Sequence, residues 1–178
     1  MADTVIDACC LLNVCAVDDH QQWLPRLGLR WHLPSAVYAE TFFLNATDDD
    51  GRPVKRPIAL QRLVDGGILT VCAADTGREK RRYVELASEL DDGEAMALAI
   101  AECRSWLFAT DDRKAQRLAG KLNVAVITTP DVIKLWVDKA SPSDNQISAA
   151  LQSIRDRARF LPGRSVPLYN SLIGKPLV

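Results

Sequence analysis

The chain has 178 residues, 48% of them hydrophobic, which is enough for one sizeable core and cramped for two domains. A formal net charge of -1, from 22 basic and 23 acidic residues, excludes a protein that coats nucleic acid by bulk charge and leaves only local basic patches for that purpose. Five cysteines without a C-x-x-C pair indicate neither a disulfide framework nor a zinc knuckle; with no signal-like start and no apolar run long enough for a bilayer, the expectation is a cytoplasmic protein with no membrane segment.

In chain order, residues 4–6 read as a short β-branched strand ending at Asp7, and ACCLLNVCAV, free of Gly and Pro, as a helix. Residues 20–27 form another helix before the break at Gly28, and residues 30–33 a short edge strand. Pro34 and Ser35 open a helix that AVYAETFFL carries to about Leu44, with Glu40 inside it. Residues 46–57, ATDDDGRPVKRP, are polar and rich in Pro and Gly, so they read as an exposed loop, with the Asp48, Asp49, Asp50 triplet solvated. IALQRLVDGG is a helix stopped by Gly66 and Gly67, and residues 68–72 a strand apolar enough for a central position. Residues 78–90 follow as a helix with Arg78, Lys80, Arg81 and Arg82 in its first half.

The stretch LDDGEAMALAIAECRSWLFATDDRKAQRLAGK organises the rest. Asp91 or Asp92 caps a helix whose opening turn holds Glu94, and Met96, Ala99, Ile100 and Cys103 recur at three and four residues to give one apolar face. Residues 106–110 are too short for a helix and read as a strand covered on both faces, ending on Asp111 and Asp112. The next helix carries Arg113, Arg117 and Lys121 every four residues, with Lys114 beside them, so one face is basic. Residues 123–127 form the last strand, 128–130 a turn and 131–137 a short helix. Strands alternating with helices predict an α/β three-layer sandwich with a central parallel sheet and right-handed crossovers.

Residues 1–140 read as the domain and residues 141–178 as a C-terminal extension, opened by the breaker SPSDNQ and helical over 147–160. Its apolar side chains, among them Ile147, Leu151, Ile154, Tyr169 and Ile173, require packing on the domain or on a second copy, which would make a homodimer.

In open parallel sheets chemistry collects beyond the carboxyl ends of the strands, where Asp7 and the Asp111–Asp112 pair fall. With Glu40 and Glu94 they supply hard oxygen donors suited to Mg²⁺ or Mn²⁺ and to activating water against a phosphodiester; two histidines twelve residues apart do not suit a zinc hydrolase. Plainer readings exist beside this one: Glu94 favours a helix start by about 0.3–1 kcal/mol, and either Asp111 or Asp112 can cap the next helix. For Arg113 and Lys114, beside the acids, contact with substrate phosphates is the better reading, and Arg117 extends the same face.

The succession VIDACCLLN, AVYAET, DDGEAMALAIA, LFATDDRKAQRLA and VAVITTPDVI resembles the PIN domain, a metal-dependent ribonuclease fold that includes the toxin halves of many bacterial toxin–antitoxin pairs. The resemblance implies an endoribonuclease acting on single-stranded RNA with Mg²⁺ or Mn²⁺, and an antitoxin protein as a further partner. Carried over, it makes Asp7, Glu40 and Glu94 the first three metal ligands and puts the fourth at Asp112, with Asp111 sharing or replacing it. It departs at Cys9, which stands where the family usually has a Ser or Thr to support the ligands and is a weaker donor. Two readings of other classes compete: a binding module without cleavage, and a phosphatase using Asp7 as nucleophile, which DAC disfavours because it lacks a second Asp two positions on.

Overall fold

A computed structural model of the chain describes residues 1–40 and 42–160. In chain order it contains β1 (Ala2–Ile6), α1 (Ala8–Ala16), α2 (His20–Trp23) with a 3-10 turn at Leu24–Leu27, β2 (Leu29–Pro34), α3 (Ser35–Tyr38), β3 (Phe43–Thr47) and β4 (Pro53–Pro57). Then come α4 (Leu60–Asp65), β5 (Leu69–Cys72), α5 (Gly77–Leu86), α6 (Asp92–Arg104), β6 (Leu107–Ala109), α7 (Arg113–Lys121), β7 (Val126–Ile127), α8 (Thr129–Ala140) and α9 (Asp144–Ser153), continued by a π turn at Ile154–Ala158. Among the described residues, no helix is long and apolar enough to cross a membrane.

Five strands form one sheet in the order β5-β2-β1-β6-β7, and every pairing is parallel. Successive residues of β1 serve opposite layers, as the two-residue period of a strand requires: Val5 joins the cluster under α5, α6 and α7, while Ile6 joins the one formed with α1, α8 and α9. The α/β sandwich with a central parallel sheet is therefore the fold of this chain.

The helix over residues 92–104 differs in detail from its expected one-faced pattern. Ala95, Ala97, Leu98, Ala99, Ile100 and Ala101 are all fully buried, whereas Met96 and Cys103 are only partly so. A helix buried on most sides is pressed between the sheet and its neighbours α3, α5 and α7. Small side chains allow that approach. At Gly93 an added Cβ would lie 3.0 Å from Val37 Cγ2, so α3 and the start of α6 meet as closely as they do only because that position has no side chain.

Three expectations fail. The strand containing Trp31 is interior, and the edges are β5 and β7; Leu29, Trp31 and Leu33 of β2 are buried, while Thr70 and Val71 of β5 are exposed. The helix from Ser35 stops after one turn instead of reaching Leu44, because the aromatic pair at Phe42 and Phe43 favours extended backbone, which β3 supplies. Glu40 thus lies past the helix rather than within it. The supposed loop 46–57 is a hairpin, β3 pairing antiparallel with β4; the Asp48 side chain accepts from Asp50 N at 3.1 Å and Arg52 N at 2.7 Å to make the turn, and Gly51 supplies the positive φ of 79°. Smaller differences are the two-residue β7 and the extension of α8 at both ends.

Ile147 and Ala150 of α9 and Ile154 of the π turn are buried in the same cluster as α1 and α8. Tyr169 and Ile173, named above for the extension, lie outside the described residues.

Candidate active site

The site is built where β1 and β6 end side by side. Ile6 is in register with Ala109, and Asp7 N donates to Ala109 O at 3.0 Å, so Asp7 and the run Thr110, Asp111, Asp112 leave the sheet together at its carboxyl end. Asp7 is fully buried and caps α1, its extended backbone letting Oδ1 accept from Cys10 N at 2.9 Å. The Cys9 thiol donates to Asp7 Oδ1 at 3.1 Å and Oδ2 at 3.2 Å, and the Cys9 sulfur accepts from Asp111 N at 3.3 Å. Burial pushes the Cys9 thiol up, so it stays protonated and able to donate. Burial also raises the Asp7 carboxyl to about 6, with the charge of Asp111 adding to the shift and hydrogen bonds from Thr110, Cys10 and Cys9 opposing it.

The two acids after β6 have different surroundings. Asp111 Oδ1 accepts from Thr129 N at 2.9 Å, and Oδ2 accepts from Asn13 Nδ2 at 2.9 Å and from the Thr129 hydroxyl. Burial raises the Asp111 carboxyl and these bonds oppose it. Asp112 is the cap of α7: its Oδ1 accepts from Lys114 N at 2.7 Å and Ala115 N at 2.8 Å. The helix cap therefore falls to the second acid of the pair, not to Asp111.

Glu94 approaches from the other side. Asp91, not Asp92, caps α6 by accepting from Glu94 N at 2.8 Å. The Glu94 carboxyl is raised to about 7 by burial first and then by the negative charges of Asp91, Asp112 and Asp7. Glu40 joins through Asp91: its Oε1 and Asp91 Oδ1 both lie 3.5 Å from where a Cβ on Gly93 would stand. Glu40 is exposed, and partial desolvation followed by the charges of Asp91 and Asp92 raises its carboxyl. Asp7, Asp111, Asp112, Glu94 and, at the margin, Glu40 thus share one end of the sheet.

Among the described residues, none of these five acids has an ion-pair partner. The nearby cations do not neutralise them. Arg113, Lys114 and Arg117 are exposed on α7; the Lys114 ammonium donates to Glu89 O, and neither arginine is ion-paired among the described residues. In the Arg78 to Arg82 run, Arg82 is committed to Glu85 and Glu102. Also among the described residues, no group of three or more His, Cys, Asp or Glu is gathered tightly enough to hold a metal ion as it stands. The chemistry of the donors nonetheless fits a hard divalent cation: carboxylates alone, no imidazole, and, among the described residues, no ion-pair partner for any of them.

Sequence reasoning missed Asn13 and Thr129, both buried around Asp111. Asn13 is the lone amide in an apolar helix, and a buried amide requires partners, which is a signal in itself. Thr128 with Asp131 forms a capping box, the T-x-x-D signature that starts α8 at Thr129, whose N–H donates to Asp111.

No curated protein and no solved structure matches the chain. A family model, DUF3368, described as a PIN domain, matches residues 3–172, most of the sequence and all of the elements that build the site. The chain belongs to the PIN-domain family.

Proposed function

We propose that this chain is a Mg²⁺- or Mn²⁺-dependent endoribonuclease that cleaves single-stranded RNA. Membership of the PIN family supports a nuclease in general terms. The observation that carries the narrower reading is the convergence of Asp7, Glu94, Asp111 and Asp112, none of them ion-paired among the described residues, at a cost that a fold needing only stability would avoid.

Asp7, Glu40, Glu94 and the Asp111–Asp112 pair would hold the cation, which when bound supplies charge for the developing phosphorane and lowers the pKa of water. The protein's own part is positional. Capping of α1 fixes one oxygen of Asp7, and the Cys9 thiol fixes the rotamer of the other in place of a stronger hydroxyl donor. Arg113 and Arg117, exposed on the helix that begins at Asp112, supply unspent charge for RNA phosphates, and Lys114 lies between them. Family resemblance extends the proposal to the toxin half of a toxin–antitoxin pair, whose partner would be an antitoxin protein.

Incubation of metal-stripped protein with a mixed-sequence single-stranded RNA tests this. Cleavage should need added Mn²⁺ or Mg²⁺, stop with EDTA, and be lost in Asp7→Asn and Glu94→Gln. Cleavage in EDTA at the same rate would refute it. For the toxin role, induced expression should arrest growth in wild type and not in Asp7→Asn; equal growth of both refutes that role alone.

A further inference from the structure

We infer that Asp111 is an internal brace of the site rather than a cation ligand, which leaves that role to Asp112 of the pair, where the PIN resemblance already puts it. This rests on reading the site as one for a divalent cation, and it assigns Asn13 and Thr129 as positioning residues.

A carboxylate has about four lone-pair positions. Asp111 has three filled by protein donors: Thr129 N on Oδ1, and Asn13 Nδ2 and the Thr129 hydroxyl on Oδ2. Asn13 is equally committed, since its amide also donates to Thr129 Oγ1 at 3.2 Å, which uses both of its hydrogens. The three side chains close on one another and tie together α1, the end of β6 and the N-terminus of α8. Asn13 and Thr129 are buried, so the triangle is shielded from water.

Asp112 is the reverse case. Both donors it takes from α7 fall on Oδ1, and among the described residues nothing bonds Oδ2. A whole oxygen is free, and Asp112 is one of the acids whose charge bears on Glu94. The brace orients this oxygen indirectly, by fixing the backbone one residue before it.

The test is a reciprocal swap. Asp111→Asn alone sets two amides against each other, and Asn13→Asp alone sets two carboxylates together. The double variant restores one of each, with Thr129 still able to donate to both. Thermal unfolding of the metal-free proteins should show each single variant lowered by on the order of 5 °C and the double variant recovering most of that loss. Calorimetric titration with Mn²⁺ should show the double variant binding within about threefold of wild type, and Asp112→Asn, which keeps a competent cap, weakened at least about 30-fold. Recovery of stability without recovery of Mn²⁺ binding would overturn the assignment, because Asp111 would then be a ligand. No recovery of stability would overturn the brace. As a second handle, Thr129→Ser should keep the unfolding temperature that Thr129→Val loses; equal temperatures would also overturn it. If wild type binds no Mn²⁺, the cation reading of the site fails, and the stability measurements still decide the brace.

Discussion

The two ends of α6 lie beside acids in opposite condition. At its C-terminus Arg104 reaches Glu79, which is 2% exposed; Glu79 accepts from Arg104 Nε at 2.6 Å and from the backbone N–H groups of Asp75 and Thr76, each at 2.9 Å. The guanidinium, aided by those N–H groups, holds the Glu79 carboxyl down to about 2. At its N-terminus Glu94 is raised to about 7, and Asp7, 0% exposed, to about 6. One fold pairs a buried acid with a guanidinium on one side and, among the described residues, gathers several acids without an ion-pair partner where two strands end. The second arrangement costs stability, as the proposed cation site would.

Activity should separate the two ends of α6 most strongly. With Mn²⁺ present, Asp7→Asn and Glu94→Gln should each lower the initial rate of RNA cleavage by at least about 100-fold, as expected when a group that acts on the transition state is removed. Glu79→Gln should leave the rate per folded molecule near wild type. Equal losses at both ends of α6 would erase the distinction.

Stability should follow the opposite order. Glu79→Gln removes the charge that answers Arg104 and should cost about 2–3 kcal/mol at pH 7, measured by urea unfolding. Glu79 has a folded pKa of about 2, below its ordinary 4.5, so its contribution is complete above pH 4.5 and is lost as the pH falls toward 2. The variant should lack this component of acid unfolding.

For Asp7 the sign reverses. Its folded pKa of about 6 exceeds the ordinary 3.8, so metal-free protein loses stability as the pH rises from 3.8 through 6. The penalty at pH 7 is at most about 3 kcal/mol. In EDTA, Asp7→Asn should therefore be more stable than wild type at pH 7 and no more stable at pH 4, since Asn keeps the cap. The smallest effects belong to residues outside both clusters. Thr128→Ala should cost about 1 kcal/mol through the α8 capping box, and Asp49→Asn should change stability by less than about 0.5 kcal/mol and leave cleavage unchanged.

The parallel sheet was legible because short β-branched runs alternate with helical periods. That same alternation carried Asp7, Asp111 and Asp112 to one end of it. Strand order was not legible: nothing within residues 29–34 or 69–72 tells which strand receives a neighbour on both sides. Nor was the hairpin, since a polar stretch with Gly and Pro suits a loop and a tight turn equally, and only pairing with Phe43 to Thr47 decides between them. The capping Asp111 and Asp112 ambiguity had a similar origin. Which of two adjacent acids caps depends on where α7 begins, and the other is claimed by Asn13 and Thr129, 98 positions earlier and 18 later. Such contacts come from tertiary packing, which local propensity does not encode.

Proton release on cation binding reports the charge state of Asp7 and Glu94. If burial and the neighbouring acids leave Asp7 and Glu94 partly protonated in the metal-free protein, a divalent cation must expel those protons as it binds. Mn²⁺ titrated calorimetrically into metal-free protein at pH 6, in two buffers of different ionisation enthalpy, counts them. The account predicts release of about one proton or more per Mn²⁺ at pH 6, falling toward zero at pH 8, and a clear reduction in Asp7→Asn. Binding without proton release at pH 6, or no binding at all, would contradict it.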